Sequence, residues 1–157
     1  MTLLKSYYEL CKPNVVYMML ICAFVGMLLA EESVESFGYL LVALTGIAFC
    51  AASAAAINQV IDRKTDASMT RTDQRPLPQG ELSVTHASIF ALTIGVLGAT
   101  ILFLYVNILT MTLTLASLIG YAFIYTVYLK RATPQNIVIG GLAGAAPPLL
   151  GWASITN

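Results

Sequence analysis

Long uninterrupted apolar runs constrain this chain more than any other feature. They come in blocks of about 18 to 23 residues, the length that carries a helix across a hydrocarbon core about 30 Å thick. Five such blocks can be read, at roughly residues 13–30, 37–61, 84–106, 108–129 and 135–152, each bounded by polar or charged residues. A soluble bundle would show amphipathic stripes with charged outer faces, whereas residues 96–104 are apolar all round. Composition agrees, since 10% of the residues are charged and 58% hydrophobic, against about 25% charged in a typical soluble domain. The expectation is an all-α, polytopic transmembrane helical bundle, with residues 1–157 forming one unit and residues 63–83 a cytosolic loop.

The charges are distributed unevenly along the chain. Lys5, Lys12, Arg63, Lys64, Arg71, Arg75, Lys130 and Arg131 lie before the first block, between the second and third, or between the fourth and fifth. Glu31, Glu32 and Glu35 fill the first of the other connectors, and the second is little more than Asn107. Short loops rich in Lys and Arg are retained in the cytoplasm, so the N-terminus and both basic loops are expected on the cytosolic side. Cys11, Cys22 and Cys50 are dispersed and form no Cys-x-x-Cys motif, which reads as buried apolar cysteine. Residues 1–8 lack the small-residue cleavage site of a signal peptide, so the first block is expected to stay in the mature protein. No internal repeat is visible, and no nucleic-acid partner is expected.

At the end of the second block Asn58, Asp62 and Asp66 stand at i, i+4 and i+8. On a helix they share one face and form an inclined ladder of amide and carboxylate oxygens. Mg²⁺ is typically held by one or two carboxylates together with substrate phosphates, and this set suits that habit. The same spacing also describes a helix end with solvated charges and local salt bridges.

The following loop sets Arg71 and Arg75 beside Pro76, Pro78 and Gly80. Arginine's planar fork grips phosphate oxygens in pairs, so both guanidiniums are candidates to close over a diphosphate bridged by the metal. Charge that merely anchors a loop fits Lys5 and Lys12 better, because an anchor needs no stiffening prolines. After the fourth block, Tyr125, Tyr128, Lys130 and Arg131 mix phenols with cations. Lys130 is a candidate phosphate ligand, and the tyrosines also fit an interfacial aromatic belt. In the fifth block Gly140 and Gly144 allow close helix contact, and Pro147-Pro148 is expected to break the backbone ladder. His86, the single histidine, reads as a hydrated interfacial residue.

Taken in order, the Asn-x-x-x-Asp-x-x-x-Asp helix end, the Arg-Thr-x-x-Arg-Pro loop and the Tyr…Lys-Arg helix end resemble the UbiA superfamily of intramembrane prenyltransferases. The segments from Arg75 to Pro78, Tyr125 to Asn136 and Gly144 to Trp152 resemble its heme O synthase (protoheme IX farnesyltransferase) subgroup. The resemblance implies the first part of a nine-helix bundle, Mg²⁺ as cofactor, and farnesyl diphosphate and heme B as substrates. Heme B is then a substrate and not a fixed cofactor. Carried over, Asn58, Asp62 and Asp66 hold the metal, with Asp62, Asp66, Arg71 and Lys130 catalytic. Asn58, Arg63, Lys64, Arg75 and Tyr125 bind substrate.

The expected location is the bacterial cytoplasmic (inner) membrane with the site on the cytosolic side. Association with heme A synthase or with terminal oxidase assembly is a further expectation. The family's second Asp-rich motif does not occur in these residues, so the chain is expected to be an N-terminal portion, inactive alone. Two other readings use the same features. One is prenylation of an aromatic quinone precursor, and the other is a non-catalytic transport or assembly subunit, whose carboxylates would sit near mid-membrane.

Overall fold

The computed structural model describes residues 2–30, 36–132 and 135–156, excluding the side chains of Arg131, Asn136, Ile137, Ile139, Leu142 and Ala143. The acidic connector of Glu31, Glu32 and Glu35, and the Arg131 and Asn136 side chains, lie outside the described residues. The elements are α1 (Leu3–Leu10), α2 (Pro13–Leu28), α3 (Phe37–Asp66), α4 (Val84–Tyr105), α5 (Ile108–Ile119), a π-helix (Gly120–Leu129), α6 (Lys130–Ala132) and α7 (Asn136–Thr156). No strand occurs among the described residues.

Local chemistry sets the helix starts. Side-chain oxygens of Ser36, Ser83 and Asn107 accept the backbone N–H groups of Tyr39, His86 and Thr110, each three residues on. Each satisfies a donor left open by the first turn. Pro13 occupies the first turn of α2, where its missing N–H costs nothing. The chain bends by 47° between α1 and α2, and Lys12 takes a left-handed backbone at the bend (φ 50°).

Three differences from the expected helices matter. First, α3 has 30 residues and runs past residue 61 to Asp66, because neither glycine nor proline interrupts residues 58–66. The whole ladder therefore lies on one rigid helix. Second, the fourth block is not a uniform α-helix but widens into the π-helix at Gly120, where the Thr126 hydroxyl donates to the Tyr121 carbonyl at 2.8 Å. Third, the expected break at Pro147-Pro148 does not occur, and α7 continues through both to Thr156. Proline fixes φ near the helical value, and packing against α2 supports this stretch.

Small residues allow the helices to approach closely. On the α2–α7 seam a Cβ at Gly26 would strike the Pro148 carbonyl, and one at Gly151 would strike the Ala23 carbonyl. The antiparallel α3–α4 pair uses the same device, with Gly46 against Leu102, Gly95 against Ser53 and Gly98 against Cys50. Ser53 adds a hydrogen bond to the Ala91 carbonyl at 2.8 Å. In a bilayer, where lipid is as apolar as leucine, such close packing and interhelical hydrogen bonds drive association. At the end of the bundle away from Asp62 and Asp66, Tyr39 (2.6 Å to the Ser154 carbonyl) and Asn107 (3.0 Å to that of Ala153) pin the end of α7.

Phe37–Asp66, Val84–Tyr105 and Ile108–Leu129 are long and apolar enough to cross a membrane, and the bent α1–α2 pair makes a fourth if counted as one span. Much of their outer surface is apolar and exposed, as at Leu92, Val96 and Phe103. This is an integral membrane protein.

Candidate active site

The charged ends of α2, α3 and the π-helix meet at one end of the bundle. Asn58, Asp62 and Asp66 project from one face of α3 and are buried, the carboxylate residues being 4% exposed each. Buried charge is costly unless it is paired and hydrogen-bonded, so what surrounds the ladder decides whether it can exist.

Each rung faces a cation from a different element. Lys130, in the first position after the π-helix, places Nζ 2.7 Å from Asp62 Oδ2. Arg75 places NH1 2.6 Å from Asp66 Oδ2. Lys12 donates from Nζ to Asn58 Oδ1 at 2.5 Å. Because a lysine only donates, this bond fixes the amide orientation. Asn58 Nδ2 then donates to Asp62 Oδ2 at 3.0 Å and to Thr126 Oγ1 at 3.1 Å.

Local folding delivers these cations. Thr72 turns back to the end of α3, donating to the Asp66 carbonyl at 2.9 Å. Pro76 and Leu77 are buried, Leu77 in a cluster with Leu10, Ala56, Leu82, Ala87 and Ala91. Arg75 is thereby held between a helix cap and an apolar anchor. Gly80, at φ +71°, turns the loop toward α4 as proline-glycine spacing predicts. Lys130 depends on the π-helix, where Thr126 satisfies both Tyr121 and Asn58 and the Tyr121 and Tyr125 rings stack at 5.5 Å. Gly140 of α7 packs on the Tyr125 ring.

Lys12 was read as an anchor, and that reading is corrected here. Its ammonium is packed against α3, where it donates to the first rung of the ladder. No sequence spacing pointed to this role, since Lys12 and Asn58 are 46 positions apart. The residue also lines an apolar cavity of about 370 Å³ between α2, α3, α5, the π-helix and α7, with Cys22, Cys50, Ala54, Thr114 and Tyr121 among its walls. That volume lies in the range of about 300–1,000 Å³ usual for small-molecule sites.

Other expected site residues lie outside the hydrogen-bonded cluster. Arg63 turns back to the Val60 carbonyl at 2.8 Å. Lys64 and Arg71 are exposed, and so are Tyr128 and His86, which were read as interfacial residues and not as part of the site.

Asp62 and Asp66 offer hard oxygen donors, which suit Mg²⁺ completed by water and phosphate. Two carboxylates are the number of protein ligands that Mg²⁺ commonly takes, water and phosphate supplying the rest. Asn58 fits less directly, because its amide oxygen is held by Lys12.

Fold and site together define a helical membrane protein in which a cluster of buried, paired carboxylates and cations lies beside an apolar cavity. Residues 19–157 match the UbiA prenyltransferase family, and the chain belongs to that family. It is 61% identical to protoheme IX farnesyltransferase 2 of Pseudoalteromonas atlantica over 98% of this chain and 50% of that protein. Against protoheme IX farnesyltransferase of Idiomarina loihiensis the identity is 59%, over 98% and 51% respectively. The chain thus spans about half the length of the curated relatives it matches. A solved UbiA homolog from Archaeoglobus fulgidus, bound to DMAPP and Mg²⁺, shares the fold with TM-score 0.82 at 22% identity, over 96% of this chain and 54% of that one.

Proposed function

We propose that this chain supplies the diphosphate-binding part of a protoheme IX farnesyltransferase (heme O synthase), acting on farnesyl diphosphate and heme B. The observation that carries the reading is the pairing of two buried carboxylates with cations from separate elements, Asp62 with Lys130 and Asp66 with Arg75, beside an apolar cavity. A prenyl diphosphate has the matching form, an anionic head on an apolar tail. The names of the relatives described above support farnesyl and heme as the two partners.

In this reading Asp62 and Asp66 would hold Mg²⁺, which neutralises diphosphate charge when bound. Arg75 and Lys130 shift their hydrogen bonds from carboxylate to phosphate oxygens. The C1–O bond of the prenyl group then breaks, and its electron pair stays on the departing diphosphate oxygen. Fixed cations aimed at that oxygen stabilise the charge as it develops. The heme vinyl group donates its π electrons to C1, and water adds to the resulting cation with loss of a proton. The cavity walls hold the chain and exclude water from C1 until the acceptor arrives.

We place the cluster on the cytosolic face of the bacterial inner membrane, supported by the clustering of basic residues at this end. Transfer of the product to heme A synthase or to terminal oxidase assembly belongs to the same proposal. The test is complementation of a bacterial strain lacking heme O synthase with the full-length gene product, with heme O measured by chromatography of membrane extracts. Heme O is the expected product. Prenylated quinone precursor in its place would transfer the reading to an aromatic acceptor.

A further inference from the structure

We infer that Lys12 is a further substrate-binding residue, which holds the diphosphate oxygen nearest the prenyl chain. The inference rests on the prenyl-diphosphate reading above and adds a residue from outside both basic motifs.

Backbone geometry is the first ground. Lys12 is the one non-glycine residue with positive φ among the described residues. A left-handed backbone is unfavourable for lysine, and such conformations persist where surrounding structure enforces them, commonly at functional sites. The 47° bend from α1 to α2 does not itself ask for lysine, since glycine or asparagine adopts this conformation more readily. What lysine adds is an ammonium group on a long stem.

The second ground is where that ammonium lies. It bonds to Asn58, the first rung of the ladder, while Ala54 and Ala55, one turn earlier on α3, and Ala51, two turns earlier, line the apolar cavity. Lys12 itself lines the same cavity. It therefore stands where the polar cluster passes into the apolar chamber. A prenyl diphosphate with its chain in that chamber presents there the oxygen joined to C1.

The third ground is the pattern of pairing. Lys12, Lys130 and Arg75 cover Asn58, Asp62 and Asp66 in the same order along α3. Lys130 and Arg75 are proposed above to move onto phosphate oxygens, and Lys12 has the same geometry at the rung nearest the chain. When the C1–O bond breaks, the electron pair stays on oxygen and Lys12 donates a hydrogen bond to it. No proton needs to be transferred.

The experiment uses the full-length gene product in nanodiscs with Mg²⁺, and the unreactive analogue farnesyl S-thiolodiphosphate as probe. Affinity is measured calorimetrically, and thermal unfolding is followed in parallel. Lys12→Asn, which tolerates the left-handed backbone, and Lys12→Met should each weaken binding about tenfold or more, as expected for one charge-assisted hydrogen bond. Lys12→Arg should restore most of that loss. Lys12→Asn should melt close to wild type, since it keeps a polar group and relieves the backbone. Wild-type affinity in folded Lys12→Asn or Lys12→Met protein would overturn the assignment. Asp62→Asn and Asp66→Asn serve as the control. If wild-type protein fails to bind the probe, or if both carboxylate variants bind as wild type does, the prenyl-diphosphate reading falls and this inference with it.

Discussion

Lys130 Nζ lies 2.7 Å from Asp62 Oδ2, although the two residues are 68 positions apart in sequence. Each is replaceable by a near-isostere without charge, Asp62→Asn and Lys130→Met. Losing a charge that stabilises the departing diphosphate costs about 3 kcal/mol, or roughly a hundredfold in rate. Heme O from membranes of the complementing strain should fall by that order in each single variant. The double variant should fall by less than the product of the two losses, because the residues act as a unit. Wild-type yield in either single variant would remove the pair from the mechanism.

Thr126 ties the π-helix to α3 through Asn58. Thr126→Val removes a buried hydroxyl that both donates and accepts, which should destabilise the protein by about 1–3 kcal/mol. Thr126→Ser keeps the hydroxyl and should restore most of the loss. Thermal unfolding in detergent of the two variants beside wild type makes the comparison, and equal melting of Val and Ser variants would show that the hydroxyl contributes nothing.

Gly151 sits against the backbone of Ala23, with no room for a methyl group. Gly151→Ala should push α7 off α2 and cost about 1–3 kcal/mol as an overpacked contact. Gly144→Ala is the matched control, since a Cβ there meets nothing within 4 Å. The melting temperature should drop only for the first, and equal melting of the two would show that the seam tolerates a methyl group.

Gln59 Nε2 donates to the carbonyls of Glu9 and Leu10, at 3.1 and 3.0 Å, and so fastens the end of α1 to α3. Gln59→Leu should release α1, with hydrogen exchange of its amides rising about tenfold as roughly 1 kcal/mol or more of local stability is lost. Unchanged protection of α1 would mean that its apolar contacts, chiefly Leu10, suffice.

Much of this architecture was legible in the sequence. Block length gave the helices, and the four-residue spacing of Asn58, Asp62 and Asp66 gave the shared face, because both depend on periodicity alone. Arg75 and Lys130 were legible as cations near that face. Lys12 was not, since its contact with Asn58 arises from the bend before α2 and leaves no pattern in the sequence. The π-helix was equally silent, because the apolar run from 120 to 129 looks the same in either winding. Pro147 and Pro148 misled for a different reason, since missing donors suggest a break while their fixed φ remains compatible with a helix.

The π-helix also sets how this stretch tolerates changes in length. Deleting one residue between Gly120 and Leu129 would let the segment wind as ordinary α-helix, which needs fewer residues for each turn than the wider i→i+5 winding. The tighter winding offsets much of the lost residue, so Lys130 keeps roughly the side of the bundle that faces Asp62. A deletion in the α-wound stretch Ile108–Ile119 has no such compensation and turns everything after it by about 100°. One-codon deletions should therefore be better tolerated in the π-helix than in α5, a contrast that a deletion scan reads directly.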